Sequence, residues 1–226
     1  TIPFLLVRNL ESTFDYLCQI FYPDKPKFVM GVTGTNGKTS VVNFSQQLIE
    51  KKNNSCVTIG TFGVGGVLSL RTDNTTPDQS FIARILQMAK LKGSDYALLE
   101  VSSHSIVQKR IKNLAFNVFC FTNLSQDHLD YHKDMETYFH AKLSILDMLR
   151  LDTNIIVNID DEYGKIFLAK AKDKGFKIET IGFSDTADVK LRVTQGTPDI
   201  QSIEIIRGKF FYAFQTHLIG AFQAIN

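Results

Sequence analysis

The chain is 226 residues long, 44% hydrophobic and 21% charged, which suits a globular protein with one substantial core and a smaller appendage. Its formal net charge of +2 is spread without any Lys or Arg block, so neither nucleic acid nor an anionic membrane is proposed as a partner. Cys18, Cys56 and Cys120 stand among apolar residues without metal-ligand spacing, and no apolar run reaches spanning length, which together predict reduced, buried thiols and a cytoplasmic setting.

In chain order, a short apolar strand is predicted at residues 4–7 and a helix at 10–21, and the chain then breaks at Pro23 and Pro26. From Phe28 apolar runs alternate with amphipathic stretches. FVMGVTG precedes a helix from 38 to about 52, and CVTIGTFGV precedes one from 78 to about 91. YALLEVS and VFCFTNL follow, then a helix over 135–149, the run NIIVNID, a helix beginning near Asp161, and KIETIGF. Continuous apolar strands between helices predict an α/β, doubly wound, mostly parallel sheet covered on both faces. After Gly182 the texture becomes alternating in VKLRVT, SIEIIRG and FFYAFQTHL, the pattern of a short antiparallel β meander at the sheet edge or as a flap. Gly220 opens a last helix candidate.

The strongest local signal is GVTGTNGKTS at 31–40, between an apolar strand and a helix. Closely spaced glycines let successive N–H groups turn toward phosphate oxygens, Lys38 can reach the outer phosphates, and the Thr39 hydroxyl can face Mg²⁺. The loop is a P-loop variant, because the position five residues before Gly37 is Val32 and the glycines fall at Gly31, Gly34 and Gly37. Taken alone it leaves kinases, GTPases and ligases open. Glu100 ends the strand YALLE, where the carboxyl ends of parallel strands face a ligand crevice, and an acid there suits Mg²⁺.

Alongside this loop stand NTTPD at 74–78, LLEVSSHSIVQKR at 98–110 and FTNLSQDHLDYHKDMETYFHAK at 121–142. Together these segments resemble the Mur ligase family, most of all the branch that adds the third residue to UDP-N-acetylmuramoyl-L-alanyl-D-glutamate. The resemblance implies an ATP-dependent amide-bond ligase of peptidoglycan-precursor synthesis that works through an acyl phosphate. ATP and Mg²⁺ would be its cofactors, and its partners a UDP-N-acetylmuramoyl-dipeptide and a diamino acid, meso-diaminopimelate or L-lysine; the protein would act as a monomer. Measured against the family's three domains, residues 1–26 are expected to be the end of a UDP-binding domain and 27–226 an incomplete ATP-binding central domain. The amino-acid-accepting domain would be absent, and such a piece is expected to be inactive alone. Folylpolyglutamate synthase shares fold and chemistry and remains an alternative, although its loop usually continues GKGS. A chain that binds nucleotide without catalysis is another.

The resemblance also implies roles residue by residue. Gly34, Thr35, Asn36, Gly37, Lys38, Thr39 and Ser40 would hold ATP; GAFQAIN at 220–226 resembles the family's GxFNxxN segment, which would put Asn226 at the adenine pocket, with Gln223 standing where Asn is expected. Glu100 and His128 would bind Mg²⁺ together with Thr39, while His132 and Asp127 have weaker claims. Lys142 would be carbamylated by CO₂ to become an anionic metal ligand, which requires a neutral amine and hence a lowered pKa. Thr75, Thr76, Ser102, Gln108 and Arg110 would hold the muramoyl peptide, Arg110 through a bidentate carboxylate or phosphate contact. Asn158, Asp160 and Asp161 resemble a nucleotide-side segment, and helix capping accounts for them equally well.

Overall fold

The computed structural model describes residues 6–127, 129–197 and 199–226, so residues 4 and 5 of the strand expected at 4–7, and His128, lie outside the described residues, while residues 6 and 7 belong to no strand. The first helix, α1 (Leu10–Phe21), starts where the Asn9 side chain accepts the Ser12 N–H at 2.9 Å.

The described strands form one ten-stranded sheet. In chain order they are β1 (Phe28–Thr33), β2 (Cys56–Gly60), β3 (Gly63–Gly66), β4 (Tyr96–Glu100), β5 (Val118–Phe121), β6 (Asn154–Asn158), β7 (Lys177–Gly182), β8 (Val189–Thr197), β9 (Ile200–Arg207) and β10 (Phe210–Thr216). Their spatial order is β10-β9-β8-β7-β6-β5-β1-β4-β2-β3, parallel from β8 to β2, with β3, β9 and β10 antiparallel. The meander therefore continues the same sheet instead of folding over it as a flap. Central β1 pairs with β4 on one side and β5 on the other. The chain runs outward in both directions from β1, and the carboxyl ends of these three strands share one crevice, which is where open α/β sheets place ligands.

The helices expected from periodicity are α2 (Lys38–Lys51), α3 (Gln79–Leu91), α7 (Glu162–Asp173) and α8 (Ala221–Ile225). The expected 135–149 helix is α6 (Met135–Leu143) followed by a tighter 3₁₀ turn over Ser144–Asp147, where Ser144 Oγ donates back to the Ala141 carbonyl at 2.9 Å. CVTIGTFGV is not one strand but the hairpin β2-β3, reversed at Gly63 with φ 89°. Two short helices carry no periodic signal of their own, α4 (Ser103–Val107) and α5 (Leu129–His132).

The two sheet faces are covered unequally. On one, α3, α6 and α7 bury Ile82, Leu86, Tyr138, Phe139 and Phe167 against Val57, Ile59, Leu99, Phe119 and Val157. Fully buried side chains such as Leu86 and Leu99 contribute about 2 kcal/mol each. On the other face α2 covers a smaller cluster of Met30, Val32, Val42, Cys56, Leu98 and Cys120. All three cysteines are free and buried, and burial pushes the Cys120 thiol up to about 12. Among the described residues no helix is long and apolar enough to cross a membrane.

Candidate active site

The loop between β1 and α2 is held open by its neighbours at the end of β5. Thr35 N–H donates to the Asn123 carbonyl at 2.9 Å, Asn36 N–H to Asn123 Oδ1 at 3.0 Å, and Thr122 Oγ1 to the Asn36 carbonyl at 2.6 Å. Gly34 has φ 144°, and a Cβ there would lie 1.9 Å from Thr122 Oγ1, so glycine is required for both conformation and space. Gly37 sits at the N-cap of α2 without a side-chain cap, leaving that helix end to the loop's own N–H groups. Beside it a cleft of about 440 Å³ is lined by Asn36, Ser40, Asn123, Asp161, Gln223 and Asn226. The apolar sides of Phe222 and Ile225 complete it, and α8 thereby brings the chain's last residues to the phosphate loop.

Glu100, at the end of β4, is 2% exposed. Its Oε2 accepts from Thr39 Oγ1 at 2.8 Å and Thr61 Oγ1 at 3.0 Å, and its Oε1 accepts the Thr61 N–H at 2.9 Å. These bonds supply the partners that a carboxylate on so apolar a strand requires. Thr61, in the β2-β3 turn, is a site residue with no sequence signal; the hairpin alone delivers it.

Two amines meet on one oxygen. Lys38 Nζ donates to the Gly34 carbonyl at 3.0 Å and the Thr35 carbonyl at 2.9 Å, while Lys142 Nζ reaches the same Gly34 carbonyl at 2.9 Å. Lys142 is 1% exposed and lies 4.7 Å from the centroid of the Tyr138 ring. Burial, then the neighbouring Lys38 charge, hold the Lys142 amine well below its ordinary range against the opposing pull of Asp127. Burial likewise lowers Lys38, with Glu100 and Asp127 opposing. The shift runs in the direction that carbamylation of Lys142 would require. Asn123, Ser125 and Tyr138 are further loop contacts not anticipated individually: Thr35 Oγ1 donates to the Ser125 carbonyl at 3.1 Å and lies 3.3 Å from the Tyr138 hydroxyl. Their signal was position, just beyond the carboxyl end of β5 or on the α6 turn before Lys142.

Thr75, Thr76, Ser102, Gln108 and Arg110 come together across the 72–78 loop and α4. Thr76 Oγ1 donates to the Glu100 carbonyl at 2.8 Å and accepts the Ser102 N–H at 3.0 Å. Ser102 caps α4 by accepting the Ser105 N–H at 3.2 Å. Thr75 Oγ1 lies 3.5 Å from Thr61 Oγ1. The Arg110 guanidinium is engaged within the chain: it donates to the Thr76 carbonyl at 2.6 Å and to Gln108 Oε1 at 2.6 and 2.9 Å, and pairs with Asp78 at 3.4 Å. Thr76→Val is expected to cost about 2 kcal/mol in urea denaturation, because the buried hydrogen bond to the Glu100 carbonyl is lost and the Ser102 N–H loses its acceptor; a change below about 0.5 kcal/mol would remove Thr76 as the anchor of this loop.

Asn158 and Asp160 bond the backbone. Asn158 Nδ2 donates to the Thr122 carbonyl at 2.9 Å, and Asp160 Oδ2 accepts the Phe183 N–H at 2.7 Å. Asp161 caps α7 through the Gly164 N–H at 2.9 Å and also faces the 440 Å³ cleft.

A divalent cation fits the donor set. Among the described residues no group of three or more His, Cys, Asp or Glu gathers, but Mg²⁺ at nucleotide sites takes one or two carboxylates and completes its shell with phosphate oxygens and water. The Thr39 hydroxyl and Glu100 carboxylate, 2.8 Å apart beside the phosphate loop, supply oxygen ligands of that kind.

The Mur ligase middle-domain profile matches residues 32–226. UDP-N-acetylmuramoyl-L-alanyl-D-glutamate–2,6-diaminopimelate ligase of Rickettsia bellii (strain RML369-C) is 37% identical over 229 residues, covering 98% of this chain and 48% of that protein. A solved structure of a protein of the same name aligns with a TM-score of 0.80 at 29% identity, over 93% of this chain and 44% of that one. The apo form of L. casei FPGS shares the fold, with a TM-score of 0.73 at 14% identity over 99% of this chain and 61% of its own. The chain spans about half the length of the curated relatives it matches.

Proposed function

The chain belongs to the Mur ligase family, and from that premise we propose that it is the nucleotide-binding part of a cytoplasmic ligase joining diaminopimelate to UDP-N-acetylmuramoyl-L-alanyl-D-glutamate at the expense of ATP. The observation that carries the reading is the convergence of the phosphate loop, the Thr39–Glu100 pair and the Lys142 amine around Gly34. That these relatives are named as 2,6-diaminopimelate ligases supports the choice of diaminopimelate over L-lysine. Residues 27–226 act as the ATP-binding unit and 1–26 as the end of a preceding UDP-binding domain; the incoming amine is bound outside the matched segment.

In this reaction a substrate carboxylate oxygen attacks the terminal phosphorus of ATP and ADP leaves, giving an acyl phosphate. The amine then attacks the acyl carbon, and the tetrahedral intermediate expels inorganic phosphate and loses a proton to leave the amide. The protein's part is positioning and charge neutralisation. The loop N–H groups of Gly34, Thr35, Asn36 and Gly37 hold phosphate oxygens, with Thr39 and Ser40 at the start of α2. Lys38 exchanges its two backbone carbonyls for phosphate. Asn226 and Asn123 edge the cleft that receives the base, and Gln223 replaces one amide with a longer one. Thr39, Glu100, His128 and a carbamate on Lys142 would hold Mg²⁺, which when bound offsets the negative charge of the reacting oxygens. For that carbamate, the neutral Lys142 nitrogen adds to the carbon of CO₂ and releases a proton. Thr75, Thr76, Ser102, Gln108 and Arg110 shape the side of the crevice that receives the muramoyl peptide.

Calorimetric titration of the 226-residue chain with ATP and MgCl₂ tests this reading. One saturable site, displaced by ADP, is the expected result. A folded chain that binds neither nucleotide would overturn it. The folylpolyglutamate alternative draws only on likeness of fold. A chain that binds nucleotide without catalysing anything would pass the titration, and full-length ligation assays separate it.

A further inference from the structure

Behind the phosphate loop runs a buried column of side chains that the chemistry above does not use. Ser103 Oγ, in the first turn of α4, lies 2.8 Å from His132 Nε2. The His132 ring stacks on the Tyr138 ring at 4.9 Å and 29°. The Tyr138 hydroxyl lies 3.3 Å from Thr35 Oγ1, and the same ring lies against the Lys142 amine. Ser103, His132 and Tyr138 are 2%, 3% and 1% exposed, so these contacts are made away from water, where each hydrogen bond lost leaves a buried group unsatisfied. The column starts beside Ser102 and ends on Thr35.

We propose that His132 and Tyr138 are positioning residues that brace the phosphate loop against the start of α4, so that the nucleotide side and the muramoyl side of the crevice are held in one register. The proposal rests on the nucleotide reading for its function, and on the contacts alone for its mechanics. His132 serves as the central link because one ring makes both connections: its edge meets Ser103 and its face meets Tyr138. A leucine would break both. A phenylalanine would keep the stack and lose the bond to Ser103, and Tyr138→Phe would keep the stack and lose the bond to Thr35.

Hydrogen exchange read by mass spectrometry on the 226-residue chain, paired with ADP titration, tests it. His132→Leu should speed exchange about tenfold in 102–106, as expected for losing on the order of one buried hydrogen bond there, and also in 34–38, where the stack that seats Tyr138 against Thr35 is lost. His132→Phe and Ser103→Ala should speed only 102–106, and Tyr138→Phe only 34–38, with ADP affinity falling in the variants that loosen 34–38. Ser103→Ala and Tyr138→Phe each remove one hydroxyl and add no volume, and so remain informative if either His132 variant unfolds. No change in either segment, or an equal rise across 200–207 as well, would overturn the brace. If ADP fails to bind the parent chain, the nucleotide reading falls while the exchange pattern still decides the column.

Discussion

Lys142→Ala, in a ligase of the relatives' full length carrying this segment, is expected to lose activity by about a thousandfold or more, the scale of removing a group that stabilises charge in a transition state. A solvated helix lysine would instead tolerate the change within about 0.5 kcal/mol. Lys142 is 1% exposed, donates to the Gly34 carbonyl and sits beside Lys38, so the solvated alternative has no place for its charge. A small carboxylic acid at high concentration should restore part of the rate by returning anionic oxygens to the vacated space. Near-normal turnover in the variant, or no response to any added acid, would take Lys142 out of the catalytic set.

The same lysine makes a stability prediction of definite sign. Because its amine is held below the ordinary 10.5, the folded chain binds fewer protons than the unfolded chain between the lowered value and 10.5. The cost is full below the lowered value and fades as pH rises toward 10.5. Lys142→Met, which fills the space without a charge, should therefore raise stability at neutral pH by about 1 kcal/mol, the range usual where a functional group is retained against stability. The gain should shrink in urea titrations repeated at higher pH. A gain that grows with pH would contradict the assignment of a strained amine.

Lys38→Ala is expected to lower ATP affinity about a hundredfold, since a charge-assisted contact to phosphate contributes roughly 2–3 kcal/mol. The fold should survive, because Lys38 bonds only two loop carbonyls and lies at the start of α2, outside both apolar clusters. Circular dichroism together with calorimetry checks both halves. Unchanged affinity in a folded variant would remove the phosphate-loop assignment.

The sequence by itself determined what local backbone geometry encodes. The glycine spacing of 31–40 announced a loop that turns N–H groups inward, and apolar periodicity placed α1 at Leu10–Phe21 and α2 at Lys38–Lys51. The ordered motifs also carried the family. Short elements escaped because a four- or five-residue helix such as α5 or α4 spans barely one turn and shows no period. CVTIGTFGV read as one strand because its apolar residues continue through the turn that Gly63 permits.

Only the tertiary structure decided the state of the site. Glu100 is held by Thr39 and by Thr61, and Thr61 arrives through the β2-β3 hairpin. Lys142 shares the Gly34 carbonyl with Lys38 although it lies 108 residues from that glycine. A lysine's burial and protonation depend on which elements pack around it, and so on contacts distant in the chain. Periodicity reports a residue's own turn or strand and carries no record of such neighbours, which is why YFHAK reads in isolation as a surface helix while the fold makes its lysine the most enclosed amine at the loop.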